Sequence, residues 1–194
     1  MLCPRIPVLS LMAIALAMSG PAHADLPART KEARKMALIL SSQTFSHGGT
    51  IPKRHTCEGE NVSPDLAWAS APPGTKSLAL IVDDPDAPDP AAPKLTWVHW
   101  VLYNIPPETG AALKAAVSSA DLPQGTKEGL NDWKRTGYGG PCPPLGRHRY
   151  FHKLYALDTV LPDLGKATKA QLEKAMVGHV LASAELVGTY QKGN

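Results

Sequence analysis

Thr96-Trp97-Val98-His99-Trp100-Val101-Leu102-Tyr103-Asn104-Ile105 is the stretch that decides the fold class. Aromatic and β-branched residues fill it, no glycine interrupts it, and Pro106-Pro107 stops it, which is the composition of a β-strand. Alternation sets Trp97, His99, Val101 and Tyr103 on one face and Val98, Trp100, Leu102 and Asn104 on the other. A histidine held between two tryptophans on a strand is either a satisfied core residue or part of a site. Its neighbours in the fold must decide.

Other strands flank it in the sequence. Upstream, Ser77 to Val82 is a short apolar run between Gly74 and Pro85, with the length and β-branched end of a buried strand. Met36 to Leu40 opens a first strand, and Leu66-Ala67-Trp68 fits a short one. Downstream, Arg147 to Leu157 places His148, Tyr150, His152 and Leu154 on one face and Arg149, Phe151, Lys153 and Tyr155 on the other. Residues 111–117 predict at most one turn of helix. Thr168-Lys169-Ala170-Gln171 is a capping box that starts a helix ending near Gly178. Val180 to Tyr190 alternates as a last strand, with a helix as the second reading because of its alanines. The 19 prolines and 16 glycines are spread along the chain, so the loops are long and constrained rather than disordered. The expectation is a mainly β, antiparallel domain with one or two short helices.

The first residues have the grammar of a cleaved secretory signal peptide. Arg5 supplies positive charge, Val8 to Met18 is apolar, and Ala22-His23-Ala24 is a small-x-small cleavage site. The apolar run is too short to span a bilayer, which takes roughly 20 residues. The expected division is 1–24 signal peptide, 25–35 flexible leader and 36–194 a single domain, in a periplasmic or secreted protein without stable membrane insertion. Cleaving the signal peptide removes only Arg5 from 20 basic residues and nothing from 17 acidic ones. That near balance argues against a nucleic-acid partner. Cys57 and Cys142 remain as an even pair in an oxidising compartment, either bridged or as separate thiols; the bridge is the expectation. It would close a loop of about 85 residues and contribute about 4 kcal/mol by chain entropy.

Two further stretches carry ionisable groups beside stiff neighbours: Asp84-Pro85-Asp86-Ala87-Pro88 and Gly146-Arg147-His148-Arg149-Tyr150. Alone, the first is good turn chemistry. With His99 they offer carboxylates, imidazoles and a phenol. Carboxylates beside imidazoles favour imidazolium, which donates from both nitrogens, and a phenol donates as well. The set therefore suits a phosphate-like anion. His148, Tyr150 and His152 share a face, but no HExxH or CxxC accompanies them and no third ligand is evident. The expectation is no metal and no cofactor. No G-x-S-x-G elbow is present, Gly137 to Gly140 lacks the Lys-Ser/Thr of a P-loop, and His47-Gly48-Gly49 lacks a serine partner. A binding protein is expected rather than an enzyme.

These motifs, with Cys57-Glu58-Gly59-Glu60-Asn61, Ser63-Pro64 and Gly137-Tyr138-Gly139-Gly140-Pro141-Cys142-Pro143-Pro144, resemble the phosphatidylethanolamine-binding protein family. Within it they resemble the bacterial Raf-kinase-inhibitor-like (YbhB/YbcL-type) branch, from about Ile39 to Gln191. The resemblance implies a Greek-key β domain with a small pocket for phosphate-like groups. It makes Asp84 and Asp86 the pocket aspartates, His99 the first pocket histidine, and His148 with Tyr150 the second motif. Pro141 falls in the segment lining the mouth. The expected ligand is phosphate, a phosphomonoester or a phosphoethanolamine-like head group. Inhibition of a partner enzyme, such as a protease, through surface loops is the alternative, and a homodimer is a further expectation. Animal members end in a helix that can cover the pocket; here the last strand reaches Tyr190 close to Asn194, so no such lid is expected. A Cys57–Cys142 bridge would stiffen the rim.

Overall fold

The structure is a computed structural model and describes residues 37–108 and 112–193. The expected signal peptide and leader, together with Met36, lie outside the described residues.

In chain order the elements are β1 (Ile39–Ser41), β2 (Leu66–Ala69), β3 (Ser77–Ala87), β4 (Leu95–Ile105), β5 (Ala112–Leu113), β6 (Lys127–Glu128), β7 (His148–Leu157), α1 (Lys169–Met176) and β8 (Val180–Tyr190). Two antiparallel sheets result, one ordered β1-β2-β5 and the other β6-β4-β3-β7-β8. Leu78, Leu80 and Val82 of β3, with Trp100, Leu102, Leu154 and Leu186, pack against Leu40, Leu66, Trp68 and Leu113 of the small sheet. The reverse face of the large sheet, with Ala79, Ile81, Val101 and Tyr103, is covered by Leu161 and by Leu172 and Met176 of α1. β3 is thus buried on both faces, which is why its sequence reads as a continuous apolar run.

The capping box forms as expected: the Thr168 hydroxyl accepts from the Gln171 N–H, and Gln171 Oε1 accepts the Thr168 N–H at 2.8 Å. Asp83, fully buried, takes the Lys153 ammonium at 2.8 Å and that of Lys169, the first residue of α1, at 2.6 Å. Those two pairs hold the helix start against the sheet, and removing both lysines would strand the buried Asp83 charge. Val180 to Tyr190 is a strand that pairs with β7 along its length, so its alternation and not its alanine content is decisive.

Three expectations change. Asp84-Pro85-Asp86 is not a turn following the strand; it belongs to β3 itself. Pro85 has no N–H to donate, but the β3–β7 ladder ends at Asp83↔Phe151 and the β3–β4 register shifts between Asp84 and Ala87. Proline is tolerated where the ladder is already interrupted. The turn of helix expected at 111–117 is replaced at Ala112–Leu113 by β5, whose Leu113 sits in the core opposite Leu66; Ala111 lies outside the described residues.

The third change bears on the site. Val82 faces Trp100 and Asp83 faces Val98, so β4 carries one extra residue, His99, against β3. This β-bulge resets the alternation. Trp97, His99, Trp100 and Leu102 all come to the side of the small sheet, whereas Val98, Val101 and Tyr103 face the helix side. Val101 and Tyr103 therefore do not share a face with His99, as unbroken alternation would have it.

Candidate functional site

A cavity of about 420 Å³ opens where the ends of β3, β4 and β7 meet two loops. β3 contributes Asp84, β4 contributes Trp97 and His99, and β7 contributes His148 and Tyr150. Pro88, Lys94 and Leu95 close one side, and Trp133 with Cys142, Pro143 and Pro144 the other. Four of the six ligand residues expected from the sequence are thus brought together: Asp84, His99, His148 and Tyr150. Asp86 and Pro141 stand outside the lining. Asp86 is instead buried beneath Arg149, accepting its backbone N–H at 2.9 Å and its guanidinium at 2.6 and 2.9 Å. Those bonds with Arg149 hold the Asp86 carboxyl below its ordinary pKa. Pro141 serves the backbone, its carbonyl accepting the Cys57 N–H at 3.0 Å.

The wall behind His99 is built by that loop. Cys57 and Cys142 are bridged, with Cα atoms 5.4 Å apart. Beside the bridge, the Gly140 N–H donates to Asn61 Oδ1 at 2.7 Å and the Tyr138 hydroxyl donates to the His55 carbonyl at 3.0 Å. A Cβ on Gly140 would lie 2.3 Å from the His55 oxygen, so glycine is what permits this approach. The segment so pinned presents the Gly139 carbonyl to His99 Nδ1 at 2.6 Å.

A carbonyl only accepts, so His99 Nδ1 carries the proton. Burial pushes the His99 pKa down, outweighing the Gly139 bond and the charges of Asp84, Asp83 and Asp132. The expectation of an imidazolium here is corrected: desolvation of a ring 3% exposed exceeds the pull of carboxylates that already have partners. Nε2 of the neutral ring keeps its lone pair, and that atom is buried without a hydrogen-bond partner among the described residues.

His148 is differently engaged. Its Nδ1 lies 2.7 Å from Asp84 Oδ2 and its Nε2 2.9 Å from the Leu145 carbonyl. Both nitrogens meet acceptors inside the protein, so His148 shapes the cavity wall without offering a free N–H to a ligand. Asp84 is similarly committed, its second oxygen accepting the Asp86 N–H at 2.8 Å. Tyr150, by contrast, has a buried hydroxyl with no partner among the described residues. Burial and then Asp84 push its pKa far up, so the hydroxyl keeps its proton. His152, on the same face of β7, points into the core against Phe45 and not into the cavity.

Trp133 and Lys94 were not foreseen. The Trp133 ring stands edge-on to His99 at 5.2 Å and to Trp97 at 5.4 Å. The nearest sequence signal is Asn131, whose Oδ1 accepts the Trp133 N–H at 3.0 Å and so turns the chain. Lys94 has no local signature; it reaches the cavity because it precedes β4. No group of three His, Cys, Asp or Glu arranged to hold a metal occurs among the described residues.

Residues 41–191 match the profile of the family described as phosphatidylethanolamine-binding protein. The chain belongs to that family. A UPF0098 protein of Methanothermobacter thermautotrophicus is 49% identical over 154 residues, covering 79% of this chain and 99% of the relative. Among solved structures, a phosphatidylethanolamine-binding protein homologue from Chlamydia trachomatis superposes with a TM-score of 0.74 at 43% identity, covering 81% of this chain and 99% of its own. Escherichia coli YbcL, described as a member of the mammalian PEBP family, gives 0.72 at 32% identity, covering 81% and 100%. The mainly β, antiparallel fold with its small helix is therefore that of the phosphatidylethanolamine-binding proteins.

Proposed function

We propose that this member of the family is an exported, non-catalytic binding protein whose cavity takes a small oxyanion: phosphate, a phosphomonoester or a phospholipid head group. The observation that carries the reading is the pair of buried polar atoms without a partner among the described residues, His99 Nε2 and the Tyr150 hydroxyl, on two residues that line a largely apolar cavity. Buried polar groups are nearly always satisfied, and two orphans facing one space call for a ligand.

Charge supports an anion. Asp84 is paired with His148, and Asp86 with Arg149. Lys94 makes no ion pair among the described residues, so its ammonium is free to meet an anion. Leu95 and Trp133, each more than a third exposed, line the cavity and suit the organic part of the ligand. A few hydrogen bonds, less the cost of association, correspond to millimolar to micromolar affinity.

Binding is favoured over turnover because no hydroxyl, thiol or carboxylate of the lining is activated as a nucleophile. Cys142 is in the bridge, and Asp84 is held by His148 and the Asp86 amide. The bridge also fits an oxidising compartment, which supports export. Calorimetric titration with inorganic phosphate, run beside an assay for hydrolysis of a generic aryl phosphate, tests the proposal. Saturable binding without turnover is expected; hydrolysis lost in His99→Ala would replace the reading with a catalytic one.

A further inference from the structure

Cys57 and Cys142 are both exposed, so their bridge is not sealed inside the core. Its two ends differ in setting. Cys142, held between Pro141 and Pro143, lines the cavity, whereas Cys57 stands outside the lining. Disulfides that solvent reaches are the ones that thiols open, and the labile or regulatory bridges of proteins belong to that class. We propose that the Cys57–Cys142 bridge is a thiol-exchange site on the cavity rim, opened by a low-molecular-weight thiol, and that an anion bound in the cavity opposes its opening. The coupling rests on the anion-pocket reading above; the exchange itself does not.

The exchange conserves atoms and electrons. A reagent thiolate attacks Cys57 Sγ from solvent; a new S–S bond forms there, the Cys57–Cys142 bond breaks, and Cys142 leaves as a thiolate. Lys94 lines the same cavity and makes no ion pair among the described residues, so the departing thiolate gains a cation in its surroundings. A second reagent thiolate then attacks the reagent sulfur of the mixed disulfide and releases Cys57. The bridge has gained two electrons, two reagent thiols have lost them in forming their own disulfide, and the two reagent protons end on the cysteines.

Each sulfur is held in place by more than the bond. Glu58 accepts the Tyr190 hydroxyl and, at 3.1 Å, the Gly193 N–H, which ties the Cys57 segment to the end of β8. The Cys57 N–H still donates to the Pro141 carbonyl, the Gly140 N–H to Asn61 and the Tyr138 hydroxyl to the His55 carbonyl. Opening the bridge in the folded chain therefore loosens the rim, and both thiols stay within reach of an oxidant that closes it again. What the bond adds is restraint on the segment that presents the Gly139 carbonyl to His99. A bound oxyanion favours that restrained segment and repels a thiolate forming at Cys142. Such coupling is reciprocal: the factor by which opening weakens phosphate binding is the factor by which bound phosphate disfavours opening.

The test is incubation of the folded protein with reduced glutathione, without and with saturating inorganic phosphate, followed by acid quenching and peptide mass spectrometry. A glutathione adduct on Cys57 with Cys142 as the thiol is expected, with unchanged far-ultraviolet circular dichroism. Phosphate should lower the extent of opening at equilibrium by about tenfold, and calorimetry of the dithiol-reduced protein should show phosphate affinity weaker by the same factor, recovered on reoxidation. A bridge that opens only in denaturant or with loss of circular dichroism, or an adduct confined to Cys142, overturns the exchange site. Opening that ignores phosphate, with equal affinity in both redox states, overturns the coupling and leaves the anion pocket intact. If the oxidised protein binds no phosphate, the anion pocket and the coupling both fall, while the adduct on Cys57 still upholds the exchange site.

Discussion

His99 and Gly139, forty residues apart, are hydrogen-bonded in both directions: His99 Nδ1 donates to the Gly139 carbonyl at 2.6 Å, and the Gly139 N–H donates to the His99 carbonyl at 3.0 Å. This exchange ties a strand bulge to a disulfide-pinned loop, and it sets which nitrogen of His99 faces the cavity. It also explains the glycine. A Cβ at position 139 would lie 2.4 Å from Trp133 Cζ3, so the indole can lean on the backbone only if that side chain is absent.

Gly139→Ala should therefore push Trp133 off its edge-on contact with His99 while leaving both sheets in place. Expected are a fluorescence change from the displaced indole, unchanged far-ultraviolet circular dichroism, and phosphate binding weaker by about tenfold, or 1.4 kcal/mol. Wild-type affinity in this variant would show that the indole wall is not part of the site.

Asp84 holds a fully buried imidazole and a backbone amide together. Asp84→Ala removes the acceptor of His148 Nδ1–H and of the Asp86 N–H at once. Leaving a buried donor without its acceptor costs about 1–3 kcal/mol for each group, to be read from urea denaturation. Asp84→Asn, which keeps a polar group in place, should lose less. Equal stability of Asp84→Ala and wild type would contradict the pairing.

The fold was largely legible before the structure because its signals are local. The capping box at Thr168, the stop at Pro106-Pro107 and the apolar run of β3 each act within a few residues. The site was legible in part. Asp84, His99, His148 and Tyr150 converge as their motifs suggest, and the Cys57–Cys142 bridge forms. The errors arose where tertiary pairing overrides a local rule. The bulge at His99 depends on the register against β3, which no spacing within β4 reveals. Asp86 leaves the cavity because Arg149, also in the second motif, claims both its oxygens. Trp133 and Lys94 are placed by loop closure, and the depressed pKa of His99 follows from a burial that only the assembled sheets create.

Reduction of the Cys57–Cys142 bridge, or the double change Cys57→Ser with Cys142→Ser, frees a closed loop of 85 residues in the unfolded chain. A loss of about 4 kcal/mol is expected from the chain-entropy model. Because the bridge pins the loop that carries Gly139, phosphate affinity should fall as well. Retained stability with two titratable thiols under native conditions would refute the structural role given to the bridge.

His152 provides a stability signature independent of the site. Burial pushes its pKa down from 6.5 to about 4, and its Nε2 has no partner. Since the unfolded chain takes up a proton near 6.5 and the folded one only near 4, stability must fall as pH drops through that window. The loss amounts to about 3 kcal/mol at full extent, at 1.36 kcal/mol per unit. His152→Leu, similar in bulk and without a polar atom to bury, should flatten the slope between pH 6.5 and 4 and raise stability at pH 5. An unchanged acid slope in this variant would place the effect elsewhere.

The most direct measurement is the ring ¹⁵N spectrum of His99 and His148 at pH 7, without and with saturating inorganic phosphate. His99 is expected to start as the Nδ1–H tautomer and its Nε2 resonance to shift strongly upon addition, while His148, already bonded at both nitrogens, moves little. A His99 resonance that stays fixed at saturation, or that starts with the proton on Nε2, would contradict that expectation.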